Sequence, residues 1–247
     1  DTAGPMTKFV IDNIIVMNSI IGFDKNDPYS YKKQPINLDL VKSSDLSNYR
    51  LGYYSNYYQN DSLYRTNIDL LELNGAKVVE INPKNISLPN FRKLLDEDMR
   101  RDLVKYFNDY GNENLVVNDI KSIINYNSLD TINRAPYGQE IFKSIIKDTM
   151  SEYDYKLMKE KLLFNGNKFF DLDYNKYDLD AVISINNYHA SYAAVAHNPC
   201  LTVPMGFRND NSPAGLTFIG ASKNEQILYE IGYAFEQVSK KRRKPNN

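Results

Sequence analysis

The stretch YRLGYYSNYYQNDSLYRTNIDLLELNGAKVVEI, residues 49–81, determines the fold class. Its first six residues favour a strand, because aromatic and aliphatic side chains dominate them. Residues 61–74 then predict a helix that begins at Asp61 and stops at Gly75, and residues 76–81 predict a second strand. A crossover of this length indicates two parallel strands joined by a right-handed connection, in a sheet that needs helices on both faces.

Segments on either side extend this α/β pattern. Residues 7–21 predict a helix capped by Thr7, and residues 222–238 predict a final helix with a capping box formed by Ser222 and Glu225. Spacing of apolar residues predicts further helices over 91–109, 119–126 and 139–164, and short apolar runs predict strands over 181–185, 201–207 and 216–219. We therefore expect one α/β domain over residues 1–247.

The overall charge and composition exclude several classes of partner. The 30 basic and 31 acidic residues give a formal net charge of -1, which provides no general attraction for nucleic acid or for an anionic membrane. The longest apolar run, residues 10–21, contains Asp12 and two asparagines and is too short to span a bilayer. The basic run KKRRK, residues 240–244, is interpreted as a solvated helix end rather than as a binding site for nucleic acid or a membrane.

Catalytic and metal-binding patterns are sparse. One cysteine, Cys200, and two histidines, His189 and His197, are too few for a disulfide framework or a typical structural zinc site. No serine lies in a G-x-S-x-G turn and no glycine cluster suits a phosphate, although a triad assembled in space stays open. We expect a packed histidine and a small buried thiol around His197 and Cys200. The acidic pairs Asp96 with Asp98 and Asp171 with Asp173 are interpreted as solvated faces.

Motifs at both ends of the chain carry a family resemblance. The segment DTAGPMT at residues 1–7, followed by an aliphatic helix, resembles the segment that follows the serine-bearing core of amidase-signature enzymes. The later motifs appear in the family's order: LTVPMGF at 201–207, PAGLTFIG at 213–220 and AFEQ at 234–237. The central PYGQE at 136–140 resembles a bacterial subgroup that includes peptide amidases and a hydrolase of a cyclic nylon oligomer.

This resemblance implies a mixed, mostly parallel sheet flanked by helices, and hydrolysis of amide bonds by a Ser–cis-Ser–Lys triad without metal or cofactor. The triad and the glycine-serine oxyanion loop precede the DTAGPM segment in the family, so the resemblance assigns no catalytic residue here and implies that this chain alone is inactive. It implies pocket-lining, substrate-binding roles for Tyr137, Gln139, Asn186 and Asn187. The expected ligand of the longer parent is a small amide or a peptide amide, with neither nucleic acid nor membrane as a partner.

Three functional hypotheses follow from the sequence. The favoured one is a carboxy-terminal fragment of an amidase, because the sequence begins within a motif and without methionine. The second is a non-catalytic module that folds alone and binds a partner or a small molecule. The third is a half-enzyme that becomes active when an amino-terminal partner docks, which an exposed apolar face would favour. An unpaired sheet edge also predicts self-association.

Overall fold

The computed structural model describes residues 4–27, 29–147 and 149–244. The chain divides into two compact units, one formed by residues 1–87 with 164–247 and the other by residues 88–163. The expectation of one α/β domain over the whole chain stays a prediction.

The first unit contains a five-stranded sheet in the order β2-β1-β3-β5-β4. β1 pairs in parallel with β2 and β3, whereas β5 is antiparallel to both β3 and β4, so four of the five strands point the same way. The predicted mixed, mostly parallel sheet is confirmed in this sense. The strands are β1 (Arg50–Tyr54), β2 (Lys77–Ile81), β3 (Ala181–Ile185), β4 (Cys200–Phe207) and β5 (Pro213–Ile219).

Helices occur in both units. The first unit contains α1 (Val10–Ile20), α2 (Leu38–Lys42), a short 3-10 helix (Leu46–Asn48), α3 (Ser55–Asn60), α4 (Ser62–Leu73), α10 (Ala190–Val195) and α11 (Glu225–Ser239). The second unit contains α5 (Phe91–Tyr110), α6 (Ile120–Ser128), α7 (Thr131–Arg134) and α8 (Glu140–Ile145). α9 (Glu152–Tyr177) has its first part in the second unit and its part from residue 164 onward in the first.

Apolar layers cover both faces of the sheet, as the crossover predicts. Alternate strand residues such as Ile183 and Phe218 pack with α1, α2, α4 and α11, while Val182 and Ile219 pack with α9 and α10. This alternation follows from the two-residue period of a strand. The helices that cover the second face contribute Phe169, Phe170, Tyr174 and Ala193, and Ala196 follows the end of α10.

The predicted strand–helix–strand unit is confirmed with one addition. The Asp61 carboxylate accepts a hydrogen bond from the Tyr64 amide at 3.0 Å and so caps α4, and Gly75 ends the turn after α4 with a φ of 96°. This left-handed φ suits glycine, because other residues clash there. The addition is α3, which follows β1 directly and which the sequence pattern did not predict.

Three helix predictions are wrong in their bounds or caps. The helix expected over 139–164 is two helices, because the Ser151 hydroxyl accepts from the Asp154 amide at 3.1 Å and starts α9 anew. Thr7 does not cap α1, since its hydroxyl donates to the Phe9 carbonyl at 2.8 Å and the helix begins at Val10. Ser222 and Glu225 form no capping box, because α11 begins at Glu225 itself, whose carboxylate pairs with Lys33.

α1 is apolar around most of its circumference. Val10 and Ile14 face the core, whereas Ile15, Val16 and Ile20 are 54%, 42% and 61% exposed. A helix with apolar residues on every side is typically buried on every side. Within the described ranges, no helix combines the length and the apolar character needed to cross a bilayer.

Candidate functional site

The strand order places a candidate site at the carboxyl ends of β1 and β3. From β1 the chain crosses to β2 on one side, and β3 lies on the other side of β1. In open α/β sheets, ligands bind in the crevice outside the carboxyl ends of strands where the order reverses in this way. Residues of α3 and of the turn after β3 occupy this position here.

Ser184 and His189 meet beneath this edge. The Ser184 hydroxyl lies 2.6 Å from Nδ1 of His189, and both residues are buried. The imidazole stacks on the Tyr54 ring at 4.4 Å between centroids, and Phe169 and Tyr57 lie 5.5 and 5.8 Å away. This burial lowers the pKa of His189 to about 4, so the ring is neutral at pH 7.

Tyr64 holds the two strand ends together from α4. Its buried hydroxyl donates to the Ile183 carbonyl at 2.8 Å and accepts from the Tyr54 amide at 3.3 Å. Burial raises the pKa of Tyr64, which keeps the hydroxyl protonated and able to donate. One side chain thus fixes the backbone of β1 at Tyr54 and of β3 at Ile183, directly before Ser184.

Asn186 and Asn187 form the exposed turn that follows β3. Asn186 adopts a left-handed φ of 47°, which asparagine tolerates better than most residues. Its side-chain oxygen accepts a hydrogen bond from the backbone N–H of Gly215 at 2.7 Å. Its own backbone N–H donates to the Gly215 carbonyl at 2.9 Å. The Asn187 carbonyl accepts from the Ala190 amide at 3.0 Å. The structure therefore brings these two predicted site residues together, with Asn186 held against β5.

Tyr137 and Gln139 lie in the second unit. The Tyr137 side chain is fully exposed. Gln139 donates from Nε2 to the Ile124 carbonyl at 3.3 Å and to the Ser128 hydroxyl at 3.1 Å, while its buried Oε1 has no hydrogen-bond partner among the described residues. Substrate-binding roles for these two residues, and for Asn186 and Asn187, stay predictions.

The expected packed histidine and buried thiol near residue 200 are wrong. His197 is exposed and has a left-handed φ of 57° in the turn that ends α10. Cys200 is also exposed, because it is the first residue of the edge strand β4. The described part of the chain contains no group of three or more His, Cys, Asp or Glu residues that suits a metal ion.

Sequence reasoning missed the Ser184–His189 pair as a site feature. Ser184 lies within the strand predicted over residues 181–185, and His189 lies five residues further on, beyond a turn. The sequence contains a usable signal in hindsight, since a polar residue within a fully buried strand requires a hydrogen-bonding partner. His189, which follows the same strand after a turn, is one of several nearby side chains able to provide it.

Lowering the pH should reduce the free energy of unfolding, because His189 titrates at a lower pH in the folded chain than in the unfolded one. Its pKa is 6.5 in the unfolded reference and about 4 in the fold, so the unfolded chain takes up the proton first as pH falls. The stabilisation from neutral burial is thus complete above pH 6.5 and is lost as pH falls towards 4. This loss is about 3 kcal/mol in the free energy of unfolding.

Urea unfolding at several pH values between 4 and 7 measures this contribution. The His189→Gln variant lacks the titrating group, so its stability should fall less steeply with acid than that of the wild type. The difference between the two proteins should change by about 3 kcal/mol over this range. Parallel curves would contradict neutral burial of the imidazole.

No family model matches the chain, but individual relatives do. It is 27% identical to a probable amidase from Arabidopsis thaliana over 99% of this chain and 50% of that protein. It is 23% identical to one polypeptide of the glutamyl-tRNA(Gln) amidotransferase from Orientia tsutsugamushi, over 96% of this chain and 54% of that polypeptide. The chain therefore spans about half the length of these curated relatives.

Solved structures agree with these relatives. An amidase family protein from Bacillus anthracis matches with a TM-score of 0.90 and 28% identity, over 100% of this chain and 50% of that protein. Native peptide amidase from Stenotrophomonas maltophilia matches with a TM-score of 0.86 and 25% identity, over 99% of this chain and 55% of that enzyme. The half-length coverage is consistent with the carboxy-terminal portion that the motifs predict. The homologues and structural neighbours of the chain are members of the amidase-signature family, and the chain is similar to about half of each.

Proposed function

We propose that the chain is the carboxy-terminal part of an enzyme that hydrolyses carboxylic amides, and that it is inactive when it stands alone. One observation carries this proposal: amidases match essentially the whole chain, yet each is about twice as long. In this proposal the Ser–cis-Ser–Lys triad belongs to the half that the chain does not cover. The substrate is a small amide or a peptide amide, and the match to a peptide amidase supports the latter.

The chain contributes to the substrate side of the site. The turn at Asn186 and Asn187 and the buried Ser184–His189 pair lie at the carboxyl ends of β1 and β3, where α/β folds bind ligands. Tyr137 presents an exposed phenol that is available for contact. None of these groups needs to attack the amide, because their role is to place it.

Ammonia release tests the proposal. The 247-residue chain alone is compared with the same chain joined to the half of the Bacillus anthracis protein that it does not cover, on a panel of simple amides and peptide amides. The chain alone should stay at background, and the joined polypeptide should release ammonia. Turnover by the chain alone, lost on substitution of His189, His197 or Cys200, would contradict the missing triad.

A half-enzyme is the second candidate, and the outer face of α1 favours it. Ile15, Val16 and Ile20 expose an apolar strip that a second polypeptide is suited to cover. The β4 edge of the sheet gives less support for self-association. Pro204 and the irregularity between Pro204 and Gly206 interrupt the edge strand β4, and such interruptions oppose strand addition.

Mixing the two halves as separate polypeptides distinguishes the half-enzyme from a part that functions only within one longer polypeptide. If the two halves regain ammonia release when they are added as separate polypeptides, the half-enzyme explanation is favoured. If release requires the covalent joint, the chain functions only as part of a longer polypeptide. Sedimentation of the chain alone reports whether the α1 face instead brings two copies together.

A further inference from the structure

The hydroxyl of Ser184 determines which nitrogen of His189 carries the proton. Ser184 is fully buried, and His189 Nδ1 is the hydroxyl's one hydrogen-bonding partner among the described residues. If Nδ1 carried the proton, the serine oxygen would accept it and the buried hydroxyl hydrogen would have no acceptor, which is costly. The hydroxyl therefore donates to Nδ1, and the neutral imidazole carries its proton on Nε2.

This Nε2–H group is available to a ligand. Among the described residues Nε2 has no hydrogen-bond partner, and this atom is not fully enclosed although His189 as a whole is buried. The ring itself is held in place by stacking on Tyr54 and by Phe169 and Tyr57 around it. A donor fixed in this way loses little conformational freedom when it binds an acceptor.

The charges around His189 favour a neutral acceptor. Lys84, whose ammonium lies 5.7 Å from the centroid of the Phe169 ring, is already paired with Asp173. Arg208, which interacts electrostatically with Tyr188, is paired with Asp61 at 2.7 Å. Since both cations are neutralised by partners, an amide carbonyl suits this edge better than a carboxylate does.

We propose that His189 is a substrate-binding residue whose Nε2–H donates a hydrogen bond to a neutral carbonyl oxygen of the amide ligand. The edge-on pair of Tyr57 and Tyr188, 5.8 Å apart, provides an aromatic wall beside it. His189 transfers no proton in this role. The hydrogen bond from Ser184 to Nδ1 keeps the proton of the imidazole on Nε2, where it serves only as a hydrogen-bond donor. The inference rests on the proposed amide hydrolysis and adds a residue that recognises the substrate.

Nitrogen-15 NMR of the 247-residue chain tests this inference without requiring turnover. The free chain should show Nε2 protonated and Nδ1 unprotonated at pH 7. Adding N-acetylglycinamide should shift the Nε2–H resonance to saturation, whereas N-acetylglycine, its carboxylate counterpart, should bind at least about fivefold more weakly. A protonated Nδ1, or equal binding of the two probes, would overturn the proposal.

Two variants separate hydrogen bonding from folding. His189→Gln keeps an N–H donor and should bind N-acetylglycinamide within about threefold of the wild type, whereas His189→Phe keeps the ring and should lose about tenfold. Circular dichroism and amide spectra confirm that each variant is folded. If His189→Phe misfolds, Ser184→Ala replaces it, because loss of the serine should increase the Nδ1–H form and weaken binding about threefold. Unchanged binding in the folded variants means that His189 is only a core residue.

The outcome is separable from that of the amidase proposal. If the probe does not bind at His189, ammonia release by the joined polypeptide still tests the amidase proposal. Conversely, an inactive joined polypeptide together with saturable binding at His189 would retain the recognition site and reject hydrolysis.

Discussion

Replacing Asp173 by alanine should lower the free energy of unfolding by about 3 kcal/mol or more. The carboxylate pairs with the Lys84 ammonium, and the two side chains are only 10% and 16% exposed. Removing the acid leaves an ammonium without its counter-ion beside the Phe169 ring and largely out of water. An unpaired charge in such a place costs far more than an exposed ion pair contributes.

Urea unfolding of four proteins measures this effect: wild type, Asp173→Ala, Lys84→Met and the double variant. The double variant should recover most of the loss, because it removes both charges together and retains an apolar side chain at residue 84. Asp171→Ala is the matched control, since Asp171 is an exposed neighbour on the same helix and should change stability by less than about 0.5 kcal/mol. A similarly small change in Asp173→Ala would show that the pair contributes nothing.

The interpretation of Asp171 and Asp173 as one solvated face is wrong for a geometrical reason. Residues two apart on a helix point to different sides, so α9 exposes Asp171 and buries Asp173. The partner of Asp173, Lys84, is 89 residues away in the sequence. No local pattern indicates such a contact, whereas local patterns were enough to indicate the strand–helix–strand region.

The fold was most predictable where local signals coincide. Asp61 as the start of a helix, Gly75 as its stop and two short apolar runs predicted β1, α4 and β2 within a residue or so. The strand at residues 181–185 was predicted with its observed bounds from a short apolar run. All five of its residues are buried in the structure. Where one signal competed with a distant contact, as at Glu225 with Lys33, the prediction of a capping box was wrong.

The candidate site was less predictable because its geometry depends on contacts across the sheet. The family resemblance predicted Asn186 and Asn187 as substrate-binding residues, and the structure places them in one turn. Ser184 and His189 were not identified as a pair, since the sequence contains no motif that joins them. Their contact requires the left-handed turn at Asn186, which brings the chain back beneath the end of β3.

Replacing Tyr64 by alanine should lower the free energy of unfolding by about 3–5 kcal/mol, as for other fully buried aromatic side chains. The ring has no exposed surface and lies 5.9 Å from Tyr57, edge to face. The cavity would open between α4 and the sheet, directly beside the carboxyl ends of β1 and β3. The loss should appear as a lower urea concentration at the midpoint of unfolding, with an unchanged slope of the unfolding free energy against urea concentration.

Tyr64→Phe isolates the hydroxyl contribution to this effect. It keeps the ring but leaves the Ile183 carbonyl and the Tyr54 amide without their partner, which should cost about 1–3 kcal/mol. Tyr58→Phe is the control, because its hydroxyl bonds Asp69 at the exposed surface and its loss should cost less than about 0.5 kcal/mol.

The hydroxyl of Tyr64 should also influence the site. Because it holds the backbone at Ile183, the residue before Ser184, its loss should broaden or shift the His189 ring resonances in NMR spectra of the folded variant. A Tyr64→Phe protein with full stability and unchanged His189 resonances would show that the strand ends are held by the sheet alone. The site would then depend on β1 and β3 pairing and not on α4.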